Sequence, residues 1–363
     1  MKFTLDHNIK TASTLSTDFY TSLEAWETAK EKIFAKTWQY SGDREIIFKG
    51  FENVHPFFLI DNYLEEPLLM IKSDDADIAC FSNVCTHRGF LLVNQPAKLK
   101  QIVCGYHGRR FAMDGQFEHM PEFGKAENFP RPCDNLPEVP FANWHRFLFA
   151  AIEPTHPIDG ILNMLDKWVG FLDLSQFRSA PEYNKTYNVH AHWALYCDNY
   201  LEGFHIPFVH DDFMKILDYG KYKTLTQDEV VLQVGYGDKD SFVFDLPEDH
   251  PEYGEHITAF YFWVFPNFML NIYPWGVQLN IVKPINSGFC KVEFLYYIQD
   301  QEIFDIMQGE KLADKVEQED EFVVEAVQKG LRSHFYKNGR FSPTQENGVH
   351  YFHQLIAKYM NAR

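Results

Sequence analysis

The chain has 363 residues, of which 45% are hydrophobic and 23% are charged, so it can form two domains with their own cores, and extended disorder is not expected. The 33 Lys and Arg residues against 51 Asp and Glu residues give a net charge of −18, and a surface of this sign argues against a nucleic-acid partner. The sequence contains neither an apolar run of membrane-spanning length nor an apolar signal core at its start, which predicts a cytoplasmic protein.

The first predicted elements are an N-terminal helix and a small β domain. Residues Tyr20 to Phe34 carry apolar side chains at helical spacing, and we expect residues 1–44 to form a helical segment that packs on the catalytic domain. Over residues 45–152 the sequence changes to short apolar runs separated by turn residues, which predicts an antiparallel β domain. Residues 153–363 are then left for a second domain.

Two short segments inside the β domain carry metal-ligand side chains. They read Cys85-Thr-His87 and Cys104-Gly-Tyr-His107, with sixteen residues between His87 and Cys104. Two Cys and two His also form a zinc set, but zinc fingers tend to put Cys with Cys and His with His. In a Rieske [2Fe-2S] centre two Cys hold one iron and two His hold the other, so each loop gives one of each. The mixed order therefore favours a Rieske cluster, while the role of Arg109, just after the second segment, stays open.

The second domain alternates between predicted helices and strands. Predicted helices cover Ile161–Leu172, Trp193–His205 and Gln301–Leu331, and several strands lie between Val230 and Tyr297. Helices packed on an antiparallel sheet define an α+β domain.

A second group of metal-ligand residues lies around the end of the predicted helix Trp193–His205. Glu202 and His205 are three residues apart, so on a helix they share a face. Pro207 is expected to stop this helix, so that the chain turns back and brings His210 beside His205. Two His and one carboxylate form the facial triad that binds mononuclear non-haem Fe(II) and leaves coordination positions open.

The third ligand is sought in the late helix. Its predicted apolar stripe consists of Leu312, Val316, Val323, Val327 and Leu331. Asp320 falls within this stripe, whereas Glu319 lies toward its edge and Glu317 outside it. Because an aspartate aimed at a core is costly unless it is paired or binds a metal, Asp320 is the predicted third ligand and Glu319 the alternative.

With these residues in place, the sequence resembles the α subunits of Rieske non-haem iron oxygenases over nearly its whole length. The most specific segments are the two Cys/His segments and Asn-x-x-Glu-x-x-His-x4-His, which starts at Asn199. Within that family the chain is similar to the choline monooxygenase and quaternary-ammonium branch. The shared features are Cys197-Asp-Asn-Tyr-Leu201, Tyr273-Pro-Trp275 and Glu319-Asp320.

The resemblance implies a role for each candidate ligand. Cluster ligands would be Cys85, His87, Cys104 and His107, and ligands of the mononuclear iron would be His205, His210 and Asp320. Glu202 would be the bridging acid, hydrogen-bonded between a cluster histidine and an iron histidine, and together with Asn199 it forms the predicted catalytic pair. The family more often has Asp at this position, and the longer Glu side chain still reaches.

The resemblance also implies fold, partners and reaction. The fold would be an all-β Rieske domain plus a helix-grip domain, in a homotrimer where the cluster of one subunit serves the iron of its neighbour. A separate flavin or iron-sulfur reductase would supply electrons, using NAD(P)H, and O₂ would be the co-substrate.

A quaternary ammonium compound of the choline, carnitine or betaine type is the predicted substrate, with monooxygenation as the reaction. Candidate pocket residues are Phe204, Phe262, Tyr273 and Trp275. Hydroxylation of an aromatic ring is the alternative, since the same side chains could stack on a ring. An electron carrier or redox sensor is a more remote alternative, because it would need only the β domain.

Overall fold

The computed structural model describes residues 2–210 and 220–362. These residues belong to two compact units, one formed by residues 35–156 and the other by residues 1–34 together with residues 157–363. The predicted domain limits followed residues 44 and 152, whereas the two units divide after residues 34 and 156. Within the described residues, no helix is both long and apolar enough to cross a bilayer.

The chain begins with two short helices, α1 (Thr17–Thr21) and α2 (Leu23–Lys32). Ser22 divides the helix predicted over residues 20–34 because its backbone is extended and its hydroxyl accepts a hydrogen bond from the Ala25 N–H at 3.3 Å. Trp26 on α2 is buried, and α2 packs against the last helix of the chain. Residues 1–34 thus form part of the larger unit.

The smaller unit is built from three three-stranded antiparallel sheets with the strand orders β1-β9-β8, β2-β3-β4 and β5-β6-β7. Its elements are β1 (Gln39–Asp43), α3 (Arg44–Ile47), β2 (Val54–Leu59), β3 (Glu66–Lys72), β4 (Ile78–Ser82), β5 (Ile102–Val103), β6 (Arg110–Phe111), β7 (Phe117–His119), β8 (Phe141–Trp144) and β9 (Phe147–Ala150). Both candidate cysteines, Cys85 and Cys104, belong to its buried core together with Leu69, Ile71 and Phe111. The core thus anchors the two loops that carry the cluster ligands.

An eight-stranded antiparallel sheet with the strand order β10-β17-β16-β15-β14-β13-β12, in which β11 also pairs with β17, forms the centre of the larger unit. The strands are β10 (Arg178–Ser179), β11 (Lys185–Val189), β12 (Lys223–Gln227), β13 (Val230–Tyr236), β14 (Ile257–Val264), β15 (Phe268–Tyr273), β16 (Gly276–Asn286) and β17 (Phe289–Ile298). The helices are α4 (Asp159–Val169), α5 (Trp193–Tyr200), α6 (Ile206–Val209), α7 (Gln301–Ile306), α8 (Gly309–Gly330) and α9 (Asn347–Asn361). This arrangement confirms the predicted α+β class.

Helix α5 ends earlier than predicted. It stops at Tyr200, where the Gln233 side-chain amide donates a hydrogen bond to the Tyr200 carbonyl at 2.8 Å. Pro207 also behaves differently from the prediction, since it lies in the first turn of the short helix α6 and does not end α5. Glu202 and His205 therefore lie in a turn between two helices.

The late helix differs from its prediction in two ways. The predicted helix Gln301–Leu331 is divided into α7 and α8 at Gln308, whose backbone is left-handed with φ 49°. The predicted apolar stripe is also wrong: Val327 is 43% exposed, whereas Glu317 and Gln328 are buried. The buried face of α8 can be polar because α5 and its N-cap residue, His192, form hydrogen bonds with its side chains. The His192 N–H, for example, donates to Gln328 Oε1 at 2.7 Å.

Candidate metal centres

The two loops that carry the predicted cluster ligands have the same backbone hydrogen bonds. In each loop the cysteine N–H donates to the carbonyl five residues later, and the cysteine carbonyl accepts from the glycine four residues later, at 2.8–3.0 Å. The two glycines, Gly89 and Gly108, have φ values of +67° and +71°, a region that favours glycine. The two loops thus share a sequence pattern and a backbone conformation, and they present their side chains in equivalent ways.

The side chains of these loops group by type. The Cys85 and Cys104 thiols are buried. Burial is the main reason why the pKa of the Cys85 thiol is raised, and the neighbouring Cys104 thiol adds to this increase. The His87 and His107 rings are neighbours, with centroids 4.8 Å apart. The buried His107 Nδ1 has no hydrogen-bond partner among the described residues. Two thiols and two imidazoles with an unpartnered nitrogen fit a [2Fe-2S] cluster held by Cys on one iron and His on the other.

The second candidate centre is a group of three side chains, His205, His210 and Asp320. One ligand atom from each lies within 4.8 Å of the others. The Asp320 Oδ1 atom is 3.1 Å from His210 Nε2 and 3.5 Å from His205 Nε2, and the two Nε2 atoms are 3.2 Å apart. Two imidazole nitrogens and one carboxylate oxygen that converge on one point fit a mononuclear non-haem iron.

Each of these two histidines also contacts a carboxylate through its other ring nitrogen, Nδ1. His205 Nδ1 is 2.7 Å from Glu202 Oε1, and His210 Nδ1 is 2.7 Å from Glu319 Oε2. Such pairs fix the ring orientation and direct the opposite nitrogen toward a metal. Burial lowers the pKa of His210, but the carboxylates of Asp320 and Glu319 outweigh burial and raise it overall. Glu319, the alternative third ligand from the sequence, therefore lies on the outer side of His210.

Removing the Glu319 carboxylate, which contacts His210 Nδ1, is expected to weaken iron binding without unfolding the protein. For Glu319→Gln we expect iron affinity to fall about 10- to 100-fold, the usual effect of losing such a partner, measured by iron titration against a competing chelator. Glu302→Gln, at an exposed carboxylate on α7, is the matched control and should bind iron like the parent. Unchanged affinity in Glu319→Gln would contradict the orienting role.

The iron site opens into a cavity of about 770 Å³. Its aromatic lining consists of Tyr196, Tyr200, Tyr222, Phe242, Tyr261, Tyr273, Trp275 and Phe294. Tyr273 and Trp275 were predicted from the sequence and line this cavity, as does Asn199. Phe204 is 42% exposed and Phe262 is fully buried, and neither is among the lining residues. Strand alternation explains Phe262, because its neighbour Tyr261 points to the cavity face of the sheet.

A row of polar side chains crosses the sheet below the cavity. The row consists of the direct cross-strand neighbours Gln233, Tyr261, Asn271, Gln278 and Tyr296. The Asn271 amide donates to Gln278 Oε1 at 3.1 Å, and the Gln278 amide donates to the Tyr296 hydroxyl at 2.8 Å. The Tyr200 hydroxyl donates to Asn271 Oδ1 at 2.6 Å, so the row fixes the end of α5, next to Glu202.

Two family models identify the class of protein. The model described as ring hydroxylating alpha subunit (catalytic domain) matches residues 178–362, and the Rieske [2Fe-2S] domain model matches residues 58–130. The chain belongs to the Rieske non-haem iron oxygenases, as an α subunit of the ring-hydroxylating type. It is therefore an oxidoreductase whose cofactors are a [2Fe-2S] cluster and a mononuclear iron, which confirms the predicted family, enzyme class and cofactors.

The chain is similar to monooxygenases of quaternary ammonium compounds. It is 28% identical over 366 residues to the chloroplastic choline monooxygenase of Arabidopsis thaliana, covering 96% of this chain and 83% of that protein. It is 27% identical over 372 residues to the carnitine monooxygenase oxygenase subunit of Escherichia coli (strain K12), covering 97% and 95%. A solved quaternary ammonium Rieske monooxygenase, described with carnitine oxidation and inter-subunit electron transfer, shares the fold: TM-score 0.75, 24% identity, and coverage of 98% and 97%. The predicted similarity to the quaternary-ammonium branch is thus confirmed.

Proposed function

We propose that this protein is the oxygenase component of a two-component system that hydroxylates a small quaternary ammonium compound of the choline, carnitine or betaine type. O₂ would be the co-substrate, one oxygen atom would enter the product, and a separate flavin or iron-sulfur reductase would supply the electrons. The observation that carries the proposal is the aromatic-lined cavity that contains His205, His210 and Asp320.

The lining of the cavity suits a cation that cannot hydrogen-bond. A quaternary ammonium is recognised by the faces of aromatic rings, and Tyr273 and Trp275 are stacked with centroids 5.0 Å apart. The lysines that line the cavity, Lys311 and Lys315, are exposed, whereas Glu317 is buried. Burial raises the pKa of Glu317 well above its ordinary value, and a cation in the cavity would favour the charged form of this carboxyl.

The proposed ligand sets follow from the two groups described above. Cys85, Cys104, His87 and His107 would hold the cluster, and His205, His210 and Asp320 would hold the iron. When bound, the cluster supplies single electrons and the iron supplies the redox chemistry that activates O₂. The chain itself orients the iron histidines through Glu202 and Glu319, and aromatic rings line the cavity beside them.

The proposed assembly is a homotrimer in which electrons cross between subunits; for the related solved structure, electron transfer between subunits is described. Glu202 would be the bridging acid, since its carboxylate already binds His205 at 2.7 Å. Apolar rings are exposed beside both centres: Tyr106 is 55% exposed and Phe208 is 78% exposed. Each ring contacts a further exposed ring, Phe90 beside Tyr106 and Phe204 beside Phe208, and contiguous exposed apolar groups are a feature of protein interfaces, which supports contact between subunits at these places.

The aromatic lining of the cavity gives a prediction that separates cation recognition from general apolar binding. Tyr273→Leu should weaken choline binding about 2- to 30-fold, the range for loss of one cation–π contact, as measured by calorimetry. Tyr273→Phe keeps the ring and is the matched control. Binding of 3,3-dimethylbutan-1-ol, the uncharged isostere of choline, should change much less in Tyr273→Leu. Equal losses for the cation and the isostere would contradict a cation–π role.

The substrate class itself is tested by turnover. Purified protein, loaded with both cofactors and coupled to a reductase, should consume O₂ and form a hydroxylated or dealkylated product from at least one of choline, carnitine, glycine betaine or proline betaine. Mass spectrometry of the product is essential, because O₂ consumption alone also follows from uncoupled turnover. Products from simple aromatic acids but from none of the ammonium compounds would overturn the proposal in favour of ring hydroxylation.

A further inference from the structure

A buried ion pair lies beneath the two cluster loops. Arg109 is 1% exposed and Asp134 is 7% exposed, and Arg109 Nη2 donates to Asp134 Oδ1 at 2.9 Å. Arg109 follows His107 by two residues, whereas Asp134 lies 25 residues further along the chain. An isolated charge at such burial is strongly unfavourable, so each partner depends on the other.

Asp134 contacts both loops through one atom. Its backbone carbonyl accepts a hydrogen bond from Thr86 Oγ1 at 2.8 Å and another from Arg109 Nη2 at 2.9 Å. Thr86 is the residue between Cys85 and His87, so the first bond belongs to the first loop and the second bond to the second loop. The carbonyl of Asp134 is thus a common anchor that sets the distance between the loops.

Neighbouring groups restrict the position of both charges. Asp134 ends a 3₁₀ turn (Pro132–Asp134), and its Oδ2 atom accepts from the Arg131 N–H at 2.8 Å. The Arg109 guanidinium lies 4.9–5.6 Å from three aromatic ring centroids. These rings belong to Phe111, Phe117 and Phe129. A positive and a negative charge are therefore held at defined places next to the predicted ligands of the cluster.

Reduction adds one negative charge to a cluster, and the reduction potential of iron–sulfur clusters depends on nearby charges and hydrogen bonds. In a water-poor interior these charges act more strongly than at the surface. A fixed guanidinium stabilises the reduced cluster, and a fixed carboxylate destabilises it.

We propose that Arg109 and Asp134 are positioning residues of the Rieske centre, which fix the spacing of its two loops and set its reduction potential through opposed charges. A buried pair that served folding alone would affect stability and cluster retention, but it would not produce potential shifts of opposite sign.

The test is a spectroelectrochemical titration of the purified full-length protein with its cluster, and it does not depend on turnover. Arg109→Gln should lower the reduction potential because a positive charge is lost, and Asp134→Asn should raise it because a negative charge is lost. Arg109→Lys keeps the charge and should retain a potential near that of the parent. Thr86→Val removes one anchor without changing charge, and it should speed cluster loss on warming with little change in potential.

A second buried pair in the same unit is the matched control. Arg146 Nε donates to Asp43 Oδ2 at 2.7 Å, and both residues are at least 95% buried. Arg146→Gln should lower thermal stability but leave the potential unchanged. If Arg109→Gln fails to retain its cluster, the reduction potentials of Asp134→Asn and Arg109→Lys are compared with that of the parent instead. Shifts of the same sign in Arg109→Gln and Asp134→Asn, or no shift in Asp134→Asn, would overturn the proposal.

Discussion

Replacing Asp320 with Ala is expected to remove the mononuclear iron and to reduce turnover by more than about 100-fold, beyond the usual effect of losing a partner outside the coordination sphere. The reason is geometric: Asp320 Oδ1 lies within 3.5 Å of both histidine Nε2 atoms, so it supplies the only carboxylate oxygen in this group of three. Without it, two imidazoles are left to hold Fe(II), one ligand fewer than the facial triad.

The measurement for Asp320→Ala combines iron analysis with spectroscopy of the cluster. Visible and EPR spectra of the Rieske centre should match those of the parent, because Asp320 belongs to the other unit. Glu321→Gln, at the next carboxylate on α8 and outside the group of three, is the matched control and should keep its iron. A variant at position 320 that retains parental iron content or parental turnover would contradict the assignment.

Co-assembly of two inactive variants is expected to restore turnover. Asp320→Ala lacks the iron site and His107→Ala lacks a cluster ligand, so each homo-oligomer should be inactive. If electrons cross between subunits, trimers that contain both variants should return about a third of the parental rate, since one of their three neighbouring pairs then combines an intact cluster with an intact iron site. If each subunit used its own cluster, no subunit of a mixed oligomer would be active.

This co-assembly experiment needs two affinity tags, so that only mixed oligomers are purified. Each variant mixed with itself is the control for reversion or residual activity. Glu202→Gln gives a further check: it should retain both cofactors, yet it should slow the reoxidation of the reduced cluster in the presence of substrate and O₂. Inactive mixed oligomers whose Asp320→Ala subunits keep their clusters and whose His107→Ala subunits keep their iron would contradict electron transfer between subunits.

The grouping of the candidate ligands could be predicted largely from the sequence because the chemistry of such centres limits both residue type and spacing. A cluster shared between two loops requires one Cys and one His from each, and the segments at Cys85 and Cys104 carry this requirement in full. The structure also places Asp320, and not Glu319, in one group with His205 and His210, as the sequence predicts, although the reason from the sequence is incomplete. The predicted apolar stripe was displaced, because α5 satisfies buried polar groups on the inner face of α8.

What the sequence could not predict depends on contacts between distant residues. Helix α5 ends at Tyr200 because Gln233, 33 residues later, binds the Tyr200 carbonyl. The role of Arg109 could not be predicted because its partner, Asp134, lies 25 residues away in a 3₁₀ turn. No local sequence pattern links the two residues. Phe262 is a candidate pocket residue from the sequence, but its neighbour Tyr261 lines the cavity, since residue type alone does not determine which alternate positions on β14 face the iron site.

The reaction we propose for this protein is the insertion of one oxygen atom into a quaternary ammonium compound. The most direct test is a single turnover of protein with both centres chemically reduced, in the absence of any reductase, with isotopically labelled O₂ and choline or carnitine. We expect a product that carries one labelled oxygen at the oxidised carbon, or the aldehyde fragment that this carbon releases. Reoxidation of both centres without any labelled product from the ammonium compounds, together with labelled product from an aromatic acid, would contradict the claim.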